Sequence, residues 1–110
     1  MRTVQATIHA GVCGFVTRVE AVSDDEQRVR FAVTTPCENI RRLADRLPEV
    51  DALAEIGAGF AGEIHRAARE SLKGCCSACV VPNGVYKAMQ IAAGLALPRS
   101  VSLEFQRTEP

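Results

Sequence analysis

Phe15-Val-Thr-Arg-Val-Glu-Ala-Val-Ser-Asp-Asp-Glu-Gln-Arg-Val-Arg-Phe-Ala-Val-Thr-Thr-Pro-Cys37-Glu38 is the stretch on which the fold turns. Phe15, Val19 and Ala21 give a strand from about residue 15 to 22. The polar Ser23-Asp24-Asp25-Glu26-Gln27 then makes a loop, and Val29, Phe31 and Val33 alternate again. Residues 14–34 therefore read as a hairpin whose loop is longer than the tightest turns. Immediately afterwards the pattern changes. Thr35-Pro36-Cys37-Glu38 has the form of a helix start, with Thr at the N-cap, Pro at the first helical position and Glu three residues after Thr. Ile40, Leu43, Ala44 and Leu47 follow at i, i+3, i+4 and i+7, and Pro48 closes the helix.

Upstream, residues 3–10 alternate, with Val4, Ala6 and Ile8 facing one way and Thr3, Gln5, Thr7 and His9 the other, which predicts a half-buried strand. Downstream, Asp51 to Ile56 reads as a short helix before the Gly57-Ala58-Gly59 break. Gly62 to Leu72 reads as another, with Ile64, Ala67, Ala68 and Leu72 inward and Gly74 as the stop. Pro82 opens a helix to about Leu95, carrying Val85, Met89, Ala92 and Ala93 on one side, and Pro98 closes it. Val101, Leu103 and Phe105 alternate with Ser102, Glu104 and Gln106, so residues 99–107 are expected to form a last strand. The order β-β-β-α-(α)-α-α-β segregates strands from helices. It predicts an α+β fold over one domain, residues 1–110: a three-stranded antiparallel N-terminal sheet plus a C-terminal strand, with the helices packed on one face.

A chain of 110 residues is long enough for a core without disulfide staples. With 47% apolar residues and a formal net charge of zero, nothing in it argues for nucleic acid. Met1 to His9 alternates polar and apolar residues and lacks the apolar run of a signal peptide, and no stretch is long and apolar enough for a membrane span. A cytoplasmic location is the expectation. In that compartment five cysteines are ligands, redox groups or buried thiols rather than structural disulfides.

The cysteines carry the chemistry. Cys75, Cys76 and Cys79 form a C-C-x-x-C cluster in the loop before the last helix. Cys13 lies in a Val-Cys-Gly-Phe turn between the first two strands, and Cys37 falls at about the second position of its helix. There, unpaired backbone N–H groups and the helix dipole favour thiolate over thiol. Strand turns and helix starts converge at one end of an α+β layer, so three separate segments could deliver thiolates to one place. A single CxxC, Cys76-Ser-Ala-Cys79, is shared by redox dithiols, half-sites for zinc and iron–sulfur sites. A second CxxC, as a zinc ribbon needs, is missing from the sequence, and so is the βαβ setting of thioredoxin. The plain alternative is that the cysteines pack as small hydrophobes. His9 and His65 could complete a metal site, although a surface or core-edge role suits each as well.

The layout and three cysteine positions resemble the NifU/IscU-type iron–sulfur scaffold domain. Cys13-Gly14 is similar to that family's Cys-Gly-Asp turn, Cys37 to its Gly-Cys at a helix start, and Cys76-Ser77 leading to Val85-Tyr86-Lys87-Ala88 to its His-Cys-Ser followed by a helix with Lys-Ala. The resemblance covers roughly residues 10 to 95. It implies a NifU/IscU-like fold and an iron–sulfur or zinc site, with a sulfur-transfer or iron–sulfur partner protein. Departures bear on function: Phe15 stands in place of the family's Asp, Cys75 in place of its His, and the Leu-Pro-Pro-Val-Lys segment is missing. Cys79 lies outside that pattern and could supply a fourth thiolate. The chain also resembles small uncharacterised cysteine-bearing families of anaerobic microbes.

Three functions follow as expectations. The first is a thiolate metal-binding protein, holding an iron–sulfur cluster or zinc through Cys13, Cys37, Cys76 and Cys79 with Cys75 as substitute or neighbour, for cluster assembly, storage or sensing. The second is a thiol-redox or persulfide sulfur-carrier protein using Cys37 or Cys76/Cys79. The third is a metal-free interaction module.

Overall fold

The computed structural model describes residues 1–109. Strands β1 (Arg2–His9), β2 (Val16–Ser23) and β3 (Arg28–Thr34) pair antiparallel in chain order, as the alternation predicts. The register aligns their inward residues into rows: Val4 faces Ala21 and Ala21 faces Phe31, while Ala6 faces Val19 and Val19 faces Val33. Because side chains alternate with period two, these matching rows put Val4, Ala6, Ile8, Val19, Ala21, Val29, Phe31 and Val33 on one face. On the central β2, Thr17, Val19, Ala21 and Ser23 are buried.

Helices α1 (Glu38–Asp45), α2 (Ala52–Ala58), α3 (Glu63–Ser71) and α4 (Val81–Ala92) complete the layer. Helix α4 lies across β1 and β2, and α1 packs on β3 and α3. Ile40, Leu43 and Leu47 are buried, as are Ile64 and Ala67, and Val85, Met89, Ala92 and Ala93. These are the residues the 3.6-residue period selects.

Two expectations are corrected. A short strand β4 (Glu49–Asp51) pairs with β3 and makes the fourth strand of the sheet among the described residues, in the order β1-β2-β3-β4. Three residues are too few to show alternation, and the Val29–Val50 pair forms only because the chain leaving α1 returns beside β3. Residues 99–107, in contrast, do not join the sheet. Nothing from Leu97 to Glu109 is helix or strand, and Val101, Leu103 and Phe105 are exposed. Alternation specifies which residues share a face but supplies no neighbour, and pairing is a tertiary event. A smaller correction concerns α1: Cys37 is its N-cap, with φ −83° and ψ 119°, not its second residue.

Two close contacts set how the helices sit. A Cβ at Gly84 would lie 2.4 Å from Ile8 Cδ1, so the absent side chain lets the start of α4 press onto the end of β1. Glu55 of α2, 2% exposed, accepts hydrogen bonds from the backbone N–H groups of Glu63 (2.7 Å) and Ile64 (2.8 Å) and so caps α3 from outside. Gly62 leaves room for that carboxylate, since a Cβ there would stand 2.7 Å from Glu55 Oε2. Tyr86 Oη donates to the Glu55 carbonyl at 3.0 Å and ties α4 to the same corner.

Gly84→Val should overpack the contact with Ile8 and destabilise the fold by about 1–3 kcal/mol. Chemical denaturation of Gly84→Val, Ile8→Ala and the double variant checks this. The double variant should be more stable than additivity predicts, because truncating Ile8 makes room for the new side chain. Full additivity would show that the two positions do not share the contact.

Candidate functional site

The sheet register gathers three chain segments at one end. His9 ends β1 opposite Val16, which starts β2, and Thr34 ends β3 opposite Arg18. The turn after β1, the start of α1 and, through the Gly84–Ile8 contact, the start of α4 therefore lie together. Each segment carries cysteine.

Cys13 closes a 3-10 turn, Gly11–Cys13, within the β1–β2 connection. Gly14, at φ 75°, donates its N–H to the Gly11 carbonyl at 2.8 Å, and Ala10 N–H reaches the Phe15 carbonyl at 3.0 Å. A left-handed residue is needed to turn the chain so tightly, and glycine meets that need without strain. The turn holds Cys13 out in solvent. Cys37 is half-buried. Its N–H donates to Thr35 Oγ1 at 3.2 Å, and that hydroxyl is 2.8 Å from Thr17 Oγ1, a buried group on β2. The Thr17–Thr35 pair thus anchors the chain that delivers Cys37 to the sheet beneath it. As N-cap, Cys37 accepts the Arg41 N–H at its carbonyl (3.0 Å) but spends no side-chain hydrogen bond on the helix.

Cys75, Cys76 and Cys79 lie in or just after the 3-10 turn Gly74–Ala78 between α3 and α4. Consecutive residues of such a turn point in different directions. Cys75 is exposed, whereas Cys76 and Cys79 are half-buried and pack against the core. Asn39, two residues after Cys37, donates its side-chain amide to Cys76 Sγ at 3.4 Å, and its Oδ1 accepts from Arg42. This relay from α1 to sulfur was not legible in the sequence. The Asn39/Arg42 spacing shows that the two share a helix face, but not which loop they meet.

Cys13, Cys37 and Cys76 lie within electrostatic reach of Cys79. Cys79 is pushed above the ordinary thiol range, chiefly by burial. A hydrogen bond from the Val81 backbone opposes that shift, and the charges of Cys37, Cys76 and Cys13 as thiolates add to it. Among the described residues, however, no group of three or more His, Cys, Asp or Glu side chains is arranged to hold a metal ion. The thiols form no ligand shell in this arrangement. As for the histidines, His9 is exposed at the end of β1. His65 lies between Phe60 (ring centroids 4.9 Å apart) and Tyr86 (5.3 Å, stacked). A cleft of ≈ 490 Å³ beside Cys79 is bordered by His65, Arg69, Leu72 and Asn83. No helix among the described residues is long and apolar enough to cross a membrane.

The family model described as "Family of unknown function (DUF6951)" matches residues 4–105, a span that includes all five cysteines. No curated protein and no solved structure matches the chain.

Because folding holds Cys79 as a thiol, its contribution to stability is complete at neutral pH and is lost as pH rises through its raised titration. Alkylation of the native protein should label the exposed Cys75 and Cys13 first and Cys79 last. The pH at which Cys79 becomes reactive should fall in a Cys37→Ser/Cys76→Ser variant, while remaining above that of an unfolded chain because burial persists. Mass spectrometry of iodoacetamide-treated samples across alkaline pH reads both. An unchanged Cys79 profile in the double variant would remove the electrostatic coupling between the segments.

Proposed function

The chain belongs to the DUF6951 family, of unknown function, and from its own geometry we propose that it is a thiolate metal-binding protein, taking an iron–sulfur cluster or zinc through Cys13, Cys37, Cys76 and Cys79. One arrangement supports this reading: the three segments that bear Cys13, Cys37 and the Cys76/Cys79 pair lie at one end of the sheet, and thiolates at Cys13, Cys37 and Cys76 would oppose ionisation of Cys79. A soft cation reverses that opposition, since each thiolate that repels its neighbours becomes a ligand. The donor set suits iron–sulfur clusters and zinc alike. Cys37, Cys76 and Cys79 would form the inner side of the site. Cys13, on its solvent-exposed turn, would close it by a movement of that turn.

The neighbouring groups support the same reading. Asn39, held by Arg42, places a donor on Cys76 sulfur, and hydrogen bonds to cysteine sulfur are one of the levers that tune such centres. The metal itself would supply electron storage if iron–sulfur, or structural cross-linking if zinc. Phe15, 40% exposed, follows the Cys13-Gly14 turn and adds no carboxylate to it. A site of four thiolates holds its metal more firmly than one completed by an acid, which favours storage or sensing over rapid transfer to a partner. A sulfur-transfer or iron–sulfur protein remains the partner class this chemistry calls for, in the cytoplasm.

A second reading rests on the open arrangement of the thiols. Cys76 with Cys79 would carry sulfur as a persulfide, or cycle between dithiol and disulfide, with Asn39 stabilising charge on Cys76 sulfur.

Metal content, acid-labile sulfide and the visible spectrum, measured on protein purified without oxygen, separate the two. Metal at a fixed stoichiometry is expected, lost in Cys13→Ser as completely as in Cys76→Ser and retained in Cys75→Ser. Metal-free protein with all five thiols titratable would overturn the metal reading. Cyanide-labile sulfur confined to Cys76 or Cys79, and indifferent to Cys13→Ser, would establish the carrier in its place.

A further inference from the structure

The segment after α4 presents an apolar surface that its own chain leaves uncovered. Leu97, Val101, Leu103 and Phe105 are 72%, 70%, 71% and 91% exposed. From Val101 to Gln106 the apolar residues alternate with Ser102, Glu104 and Gln106, the pattern of a strand with one apolar face. The segment makes no strand in its own sheet. The long axis of the molecule, 53 Å against 28 and 26 Å, fits a chain running away from the body. A row of exposed apolar side chains with strand spacing marks an interaction site rather than ordinary surface.

The same chain carries the complement. β1 is an edge of the sheet and is eight residues long, so one side of its backbone is unpaired. On the helix-facing side Val4 and Ala6 are only half-buried, although their β2 partners Ala21 and Val19 are 0% and 1% exposed. One more strand with an apolar face toward α4 would cover them.

Direction decides where that strand comes from. Helix α4 runs opposite to β1, because Gly84 abuts Ile8 whereas a Cβ at Gly94 would meet Arg2. The segment therefore leaves α4 at the start of β1, and along its own β1 it could run only parallel. Antiparallel pairing, the slightly more stable form, needs a strand arriving from the His9 end, which a second molecule supplies. We propose that residues 99–107 of one copy add as an antiparallel strand to β1 of a second copy, and reciprocally, so that two chains form a two-fold dimer. The apolar residues at 101, 103 and 105 would face the α4 side, over Val4 and Ala6 of the partner copy. The inference is independent of what the cysteines bind.

Sedimentation equilibrium on the full chain, on a chain ending at Pro98, and on Val101→Ser/Leu103→Ser/Phe105→Ser tests the proposal. The replaced side chains are exposed in the single copy, so the triple variant keeps its fold, which far-UV circular dichroism confirms. The full chain should have twice the monomer mass and both variants the monomer mass. Hydrogen exchange should show amides of 99–107 and of β1 protected in the full chain in proportion to dimer, and β1 losing that protection in the triple variant. A full chain that is monomeric at every concentration would overturn the proposal. So would a dimer that survives both changes, or protection of 99–107 that does not depend on concentration.

Discussion

The arrangement of the cysteine end depends on the contact of Gly84 with Ile8. With no side chain at position 84, the first turn of α4 comes down onto the last residues of β1, with only 2.4 Å left where a Cβ would stand. That contact fixes where α4 begins relative to the β1–β2 turn. The residues just before α4 include Cys79 and Cys76, and those just after β1 include Cys13. Bringing helix start and strand end together therefore also brings together the segments that carry these cysteines. The third segment arrives by a separate route: β3 ends at the same end of the sheet, and the Thr17–Thr35 hydroxyl pair holds down the residues that lead to Cys37.

Burial raises Cys79 first, and thiolates at Cys37, Cys76 and Cys13 would oppose its ionisation further. Lys73 precedes the cluster in sequence, and Arg69 borders the cleft beside Cys79. A protein needing only small apolar groups there could use alanine or valine and avoid that opposition. Cys37, Cys76 and Cys79 are half-buried and pack against the core, and Cys76 also receives an amide donor from Asn39. Glu55 shows a different solution for a buried charge: its carboxylate is taken up by two backbone N–H groups at a helix start, and it works as structure.

Much of this was legible in advance. The alternation in residues 3–10 and 15–34, and the helical spacing from Ile40, Ile64 and Val85, match the elements and their buried faces closely, since a strand or helix long enough to show its period also declares which side turns inward. That the segments carrying Cys13, Cys37 and Cys76/Cys79 end at the same end of the sheet follows from their places at turns and helix starts. The start of α1 moved two residues on, so that Cys37 is its cap and not its second residue; Thr35 uses its hydroxyl on Cys37 N–H and on Thr17 instead of capping the helix itself. The Asn39 relay and the separation of Cys75 from its neighbour depend on which way side chains leave a one-turn loop, and no periodicity encodes that.

By itself the sequence determined the local periods, the inward face of each long element, the helix boundaries at Pro48 and Pro82, and the set of residues able to bind a soft metal or carry sulfur. Those properties belong to single segments, where backbone geometry and the pattern of apolar side chains suffice. Only the tertiary structure decided that three residues after Pro48 become an edge strand and that nine residues after Pro98 do not. Hydrogen bonds between strands require a neighbour at the right distance, and a segment's own pattern cannot say whether the rest of the chain will provide one. The same holds for the thiols: their number is a property of the chain, and their mutual distance a property of how α4 rests on β1.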